Sequence, residues 1–174
     1  MTYALQAGSK LITDITNARS DEIDLPAIER NLRNIRRFLN NPIALTIHDH
    51  RALVRLLAER HGASEPVRQW AYHHDDHEGI IGDILAPLES LISDHTNILE
   101  IVKYSLDAAI CKARGIPLPS EATRREVHVY DKMAATIEWL EVLGQPPADW
   151  NVSIDLPLAV QRDALYGARD HSQR

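Results

Sequence analysis

The sequence predicts an all-α protein folded as a single compact helical bundle. Three observations carry this. Apolar residues recur at three- and four-residue intervals, no alternating strand pattern appears, and cap and stop residues bound the periodic stretches. At 174 residues with 44% hydrophobic content, the chain can bury one core of its own.

Taken in order, residues 1–23 show weak periodicity and many polar side chains, and the expectation for them is an irregular arm. Asp24 is placed to cap a helix that opens on Leu25-Pro26, since proline suits the first turn. Ile28, Leu32, Ile35 and Phe38 then share one face, until Asn40-Asn41-Pro42 ends the helix. A second helix is expected from about Asp49 to His61, with Leu53, Leu56 and Leu57 inward and Gly62 as its stop. Ser64 ahead of Glu65-Pro66 signals a third, running through Val67, Trp70 and Ala71 into a His-rich segment.

Residues 78–92 read as a short helix or a broken loop, because Gly79, Gly82 and Pro87 interrupt them. Ile98, Ile101, Val102, Leu106, Ala109 and Ile110 line a long helix that stops at Gly115. Ser120 caps another, with Val127, Val129, Met133, Ile137 and Leu140 inward and Gly144 at its end. A bundle over residues 24–150 is therefore expected, followed by a tail at 151–174 with a short helix after Asp155-Leu156-Pro157.

Composition narrows the function classes. A formal net charge of −6 argues against a nucleic-acid groove, which depends on Lys and Arg neutralising phosphates. The local cluster Arg33, Arg36 and Arg37 still suits a small anionic substrate. No apolar run approaches the roughly 20 residues that a membrane helix needs, and no basic-then-apolar leader is visible at the N-terminus. With Cys111 as the only cysteine there is no internal disulfide, and a cytoplasmic location is expected. A homodimer is compatible with a helical domain of this size but does not follow from the sequence.

Chemistry concentrates in residues 71–78, Ala-Tyr-His-His-Asp-Asp-His-Glu. Imidazole and carboxylate groups bind divalent ions, and a hydrolytic ion keeps one position open for water or substrate. His74, Asp75 and Glu78 supply those groups within five positions, so further ligands must come from other helices. The competing reading is a solvated helix end. Against it, the amphipathic approach Val67–Tyr72 carries His74 toward the core, and Asp131, flanked by Val127, Val129 and Met133, wants a charged partner.

The ordered set of these residues resembles the HD-domain metal-dependent phosphohydrolases, and within them the small bacterial 5′-deoxynucleotidases and phage-type deoxynucleoside triphosphate hydrolases. Arg37-Phe38 precede Thr46-Ile47-His48-Asp49-His50. His74-Asp75, Glu78, Gly82-Asp83-Ile84 and Pro87-Leu88 follow, and a late helix carries Asp131, Ala134-Ala135 and Glu138. The resemblance implies His50, His74, Asp75 and Asp131 as ligands of one divalent ion (Zn, Mn, Co, Fe or Mg), with His50 preferred to His48. It implies Glu78 and Asp83 as the proton-handling and water-orienting carboxylates, and Arg37 as a phosphate contact. Phe38 would lie near a base or sugar, and His128 near the substrate.

Simpler roles compete. Arg37 fits a solvated helix end, Phe38 fits the core, and Asp83 fits a loop cap beside Gly82. His73 and His77 fit the surface or a supporting position, and Asp107 a structural one. Two positions depart from the family pattern: Glu89 and His128 stand where its members often carry lysines. A carboxylate there repels a polyphosphate by about 1–4 kcal/mol at close range. Deoxynucleoside monophosphates are therefore the expected substrates ahead of triphosphates, with a metal- or nucleotide-sensing module that no longer turns over as the alternative.

Overall fold

The computed structural model describes residues 2–142. Gly144, Asp149 and the 151–174 tail lie outside the described residues. Helices dominate: α1 (Leu25–Asn34), α2 (Arg37–Asn40), α3 (Ile47–Arg60), α4 (Glu65–His73), α5 (Glu78–Ile81), α6 (Ala86–Ser93), α7 (Ile98–Arg114) and α8 (Glu121–Val142). No described helix is long and apolar enough to cross a membrane.

The N-terminal segment is not irregular. Strands β1 (Leu5–Ala7) and β2 (Lys10–Ile12) pair as an antiparallel hairpin, and two 3-10 turns lead into α1. Three-residue strands are too short to display alternation, so the sequence gives no sign of them. The hairpin turn uses Gly8 at φ +65, where a Cβ would lie 2.3 Å from that of Ala27. Asp24 caps α1 as expected through Ala27 N (3.0 Å), and it also accepts from Ser9 N and Oγ, tying the hairpin to the helix. Ile12 and Ile23 thereby enter a core layer with Ile28, Leu32, Ile47, Leu106 and Ile110.

The second core layer packs α3, α4 and α8 through Leu53, Leu57, Trp70, Val127, Met133 and Ile137. Val129 was expected inward and is 54% exposed. It lies two positions from buried Val127, about 200° around the helix, so both cannot face one core. Ile98 and Ile101, also expected inward, are exposed on the first turn of α7.

The first helix stops four residues early, at Asn34. Ile35 and Arg36 run extended, with Ile47 N donating to Ile35 O and Arg37 N to Leu45 O. Phe38 (φ 54) and Asn40 (φ 57) are left-handed, and Asn40 Oδ1 accepts from Arg36 N. Arg37 and Phe38 consequently sit on a separate turn. The next helix begins earlier than expected, because Thr46 and Asp49 form a capping box ahead of Ile47. Ser64 precedes α4 without making a side-chain cap bond. Pro87 opens α6 rather than breaking it.

One buried ionic network joins these layers. Asp76, in the turn after α4, receives Arg51 Nη1 from α3 at 2.5 Å, Arg114 Nε from α7 at 2.7 Å and His73 Nδ1 at 2.9 Å. Glu29 of α1 bonds both arginines, and Arg51 lies over the Tyr72 ring at 4.4 Å. Burial alone would raise the Asp76 and Glu29 carboxyls. His73 and the arginines around Asp76, and Arg51 with Arg114 around Glu29, instead hold both below their ordinary values.

Two outcomes are expected. Asp76→Ala, which leaves Arg51 buried without that partner, should cost about 3–5 kcal/mol in urea unfolding. Because the folded carboxyls bind protons more weakly than the unfolded chain, their contribution is fully present above about pH 4. It is lost as pH falls through the depressed values, so the wild-type acid transition below pH 4 should be steeper than that of Asp76→Ala; equal slopes would contradict this role.

Candidate metal centre

Four side chains from three separated segments converge. His50 projects from the second turn of α3, His74 and Asp75 lie in the turn that Asp76 anchors, and Asp131 comes from the middle of α8. His50 Nε2 lies 3.0 Å from Asp131 Oδ1 and 3.6 Å from Asp75 Oδ2. His74 Nε2 lies 3.2 Å from Asp75 Oδ2 and 3.8 Å from Asp131 Oδ1. Bond lengths of roughly 2.0–2.2 Å to a divalent ion place neighbouring ligand atoms about 3.0–3.6 Å apart. The observed spacings span that range. Atoms of His50, His74 and Asp75 fall within 4.8 Å of one another.

The hydrogen bonds on the far side of each ring decide what faces inward. His50 Nδ1 donates to Glu138, and His74 Nδ1 donates to the Ala71 carbonyl at 3.0 Å. In the neutral rings both Nε2 atoms therefore carry lone pairs, and both point at carboxylate oxygens. Lone pairs facing anions repel unless a proton or a cation lies between them. His74 Nε2 is moreover buried with no hydrogen-bond partner among the described residues. The donor set fits a divalent ion of the Zn, Mn, Fe or Co kind. The described residues thus contain a buried His/Asp cluster able to hold such an ion.

The electrostatics say the same. Burial and Arg37 push His50 down, yet Glu138 and Asp131 leave it raised. Burial opposes His74 too, and Asp75 with Asp131 carries it well above the ordinary imidazole range. Asp75 and Asp131, despite burial, are held below theirs by the two histidines. Without an ion the site seeks positive charge.

A cavity of about 580 Å³ opens beside the cluster, walled by Arg37, Phe38, Glu78, Asp83, His128 and Asp131 among others. Burial, then repulsion from Asp75, raises the Glu78 carboxyl well above its ordinary value. Burial and Asp75 raise Asp83 against the pull of Arg37. Phe38 meets Trp139 edge-on at 5.3 Å, half-buried at the cavity wall rather than in the core. His128 is largely exposed at the mouth, its Nδ1 3.9 Å from Asp131.

His48 is not part of the cluster, and its Nδ1 meets Arg51 Nη2 at 3.0 Å. His77, expected at the surface or in a supporting position, and Asp107, expected to be structural, are both buried and bonded to each other. Glu138 is the residue that sequence reasoning left without a role. Fully buried, it orients His50 and ion-pairs with Arg37 Nε at 3.2 Å. A charge in the run Ala134–Ile137 and beyond was the available signal, since a carboxylate on a buried helix face needs cations to meet it.

No protein-family model matches the chain, and no curated protein matches it significantly.

Two outcomes follow from the geometry. Mn²⁺ at 100 times its Kd should stabilise the chelator-stripped protein by about 2.7 kcal/mol, and Asp75→Ala should abolish the effect in a thermal-shift titration. Glu138→Gln, which loosens a supporting carboxylate, should weaken Mn²⁺ binding about 10–100-fold by calorimetry. Unchanged affinity in either variant would count against the assignment.

Proposed function

We propose that the protein is a metal-dependent phosphohydrolase of the HD-domain class acting on nucleotides, with deoxynucleoside monophosphates ahead of triphosphates. The observation that supports this best is the convergence of His50, His74, Asp75 and Asp131 at the edge of a cavity whose wall carries Glu78, Asp83 and Arg37. The order of the same residues along the chain resembles that class.

A divalent ion, when bound by these four residues, polarises a phosphoryl oxygen and lowers the pKa of coordinated water. The chain supplies the rest. Arg37, fixed by Glu138, presents its remaining N–H donors to phosphate oxygens along the cavity wall. Glu78, whose carboxyl is raised by burial and by Asp75 and so holds its proton more tightly, gives that proton to the leaving ester oxygen, and Asp83 orients the attacking water and takes its proton. Phosphorus gains the water oxygen as the ester bond breaks, which yields the alcohol and phosphate. Phe38 and Trp139 offer an aromatic wall for a base or sugar.

The substrate preference rests on the mouth of the cavity. Lys103 Nζ pairs with Glu89 Oε1 at 2.6 Å, so the carboxylate is neutralised and the lysine is occupied. Arg124 is engaged by Asp107, and Arg125 pairs with Glu121. Lys132 lines the cavity with no ion pair among the described residues, and one such lysine suits one phosphate group better than three.

Phosphate release over nucleoside mono-, di- and triphosphates is the test. Turnover should be greatest with monophosphates and absent in Asp75→Ala. Asp83→Asn should lose roughly 10²–10⁴ in kcat with its metal content intact. Ligand-induced stabilisation without phosphate release from any nucleotide would replace this reading with a sensing module.

A further inference from the structure

His77 repeats the arrangement seen at His50 and His74, one ring nitrogen fixed from behind and the other turned inward. Its Nδ1 bonds Asp107 Oδ1 at 2.9 Å, and Asp107 is held in turn by Arg124 Nη1 at 3.0 Å. A ring nitrogen facing a carboxylate donates, so the other nitrogen, Nε2, carries the lone pair. That atom is buried and has no hydrogen-bond partner among the described residues, in a side chain only 6% exposed. Glu78, 8% exposed, likewise holds Oε2 buried without a hydrogen bond. One ligand atom each from Asp75, His77 and Glu78 lies within 4.8 Å of the others.

The peptide chain has no reason to gather these atoms unpaired. A buried imidazole lone pair and a buried carboxylate oxygen each forfeit about 1–3 kcal/mol when left without a partner. Their spacing is too wide for a direct bond, yet it is close enough for one ion to touch all three groups. A carboxylate has two oxygens, and Oδ2 of Asp75 already faces His50 and His74. His77 lines a cavity of about 280 Å³ that also reaches His74 and Asp131, while Asp75 and Glu78 line the larger cavity.

We infer that Asp75, His77 and Glu78 form a second divalent-cation site that shares Asp75 with the first. The site has one imidazole and two carboxylates, a donor set for Mn²⁺, Fe²⁺, Co²⁺ or Zn²⁺. Asp107 serves it as Glu138 serves His50, fixing the ring from behind. With the second ion bound, Glu78 would be a deprotonated ligand in place of the proton donor of the proposed mechanism, which would leave Asp83 as the proton-exchanging carboxylate. The inference depends on the first site only through the shared carboxylate.

The test uses the full chain, stripped with a chelator, reloaded with Mn²⁺ and examined by elemental analysis and electron paramagnetic resonance. Wild-type protein should hold two ions per chain with a spin-coupled spectrum. His77→Ala should hold one, with the coupling lost, and Asp107→Asn should weaken the second ion about tenfold with the first unchanged. The wild-type spectrum needs no variant and stands even if His77→Ala fails to fold. A single uncoupled ion in wild type would overturn the second site and leave the first intact. No ion in wild type would overturn both.

Discussion

Asp76 is a carboxylate with 1% exposure, and its charge survives burial because Arg51 meets one of its oxygens and Arg114 the other. Three helices and the turn after α4 are fastened at that point, since Glu29 of α1 closes the ring between the two arginines. The turn is four residues long and polar, and nothing apolar would hold it. Pinned through Asp76, it has one conformation, and in that conformation His74 and Asp75 face away from the arginines toward His50 and Asp131. Arg51 follows His50 directly on α3, so a single ion-pair assembly sets both approaches to the candidate metal centre.

The molecule therefore separates its charges into two buried groups. One is self-neutralising: two arginines and a histidine answer Asp76 and Glu29 within the protein. The other is left short of positive charge, because Asp75, Asp131 and Glu138 confront only Arg37 and two imidazoles. The upward shifts of both imidazoles and of the Glu78 carboxyl are the protein's own response to that shortage. An ion resolves it more fully than protons do, since it satisfies lone pairs that hydrogen bonds do not reach. A protein that needed only stability would gain more from apolar residues at these positions.

Much of this was legible in the sequence. Helix positions followed from the spacing of Leu53, Leu57, Leu106 and Ile110, and Asp24, Gly62 and Gly115 marked ends that the structure confirms. His50, His74, Asp75 and Asp131 could be named because the order of their residue types along the chain resembles a metal-binding pattern, and the fold brings all four together. What failed was whatever depends on tertiary pairing. The hairpin exists because Ile12 and Ile23 find a core supplied by α1 and α7. The first helix breaks at Ile35 because Ile35 and Leu45 carbonyls offer a ladder to Arg37 and Ile47. Arg51 had no assigned role, Asp107 only a structural one and Glu138 only a place in the ordered set, because a partner from another helix is invisible in a one-dimensional reading.

Anomalous diffraction from crystals grown with Mn²⁺ or Zn²⁺ tests the metal centre most directly. The predicted result is a peak within about 2.0–2.3 Å of Nε2 of His50 and of His74, shared with oxygens of Asp75 and Asp131. A map with no peak among those four side chains, at metal concentrations that saturate binding in solution, would contradict it.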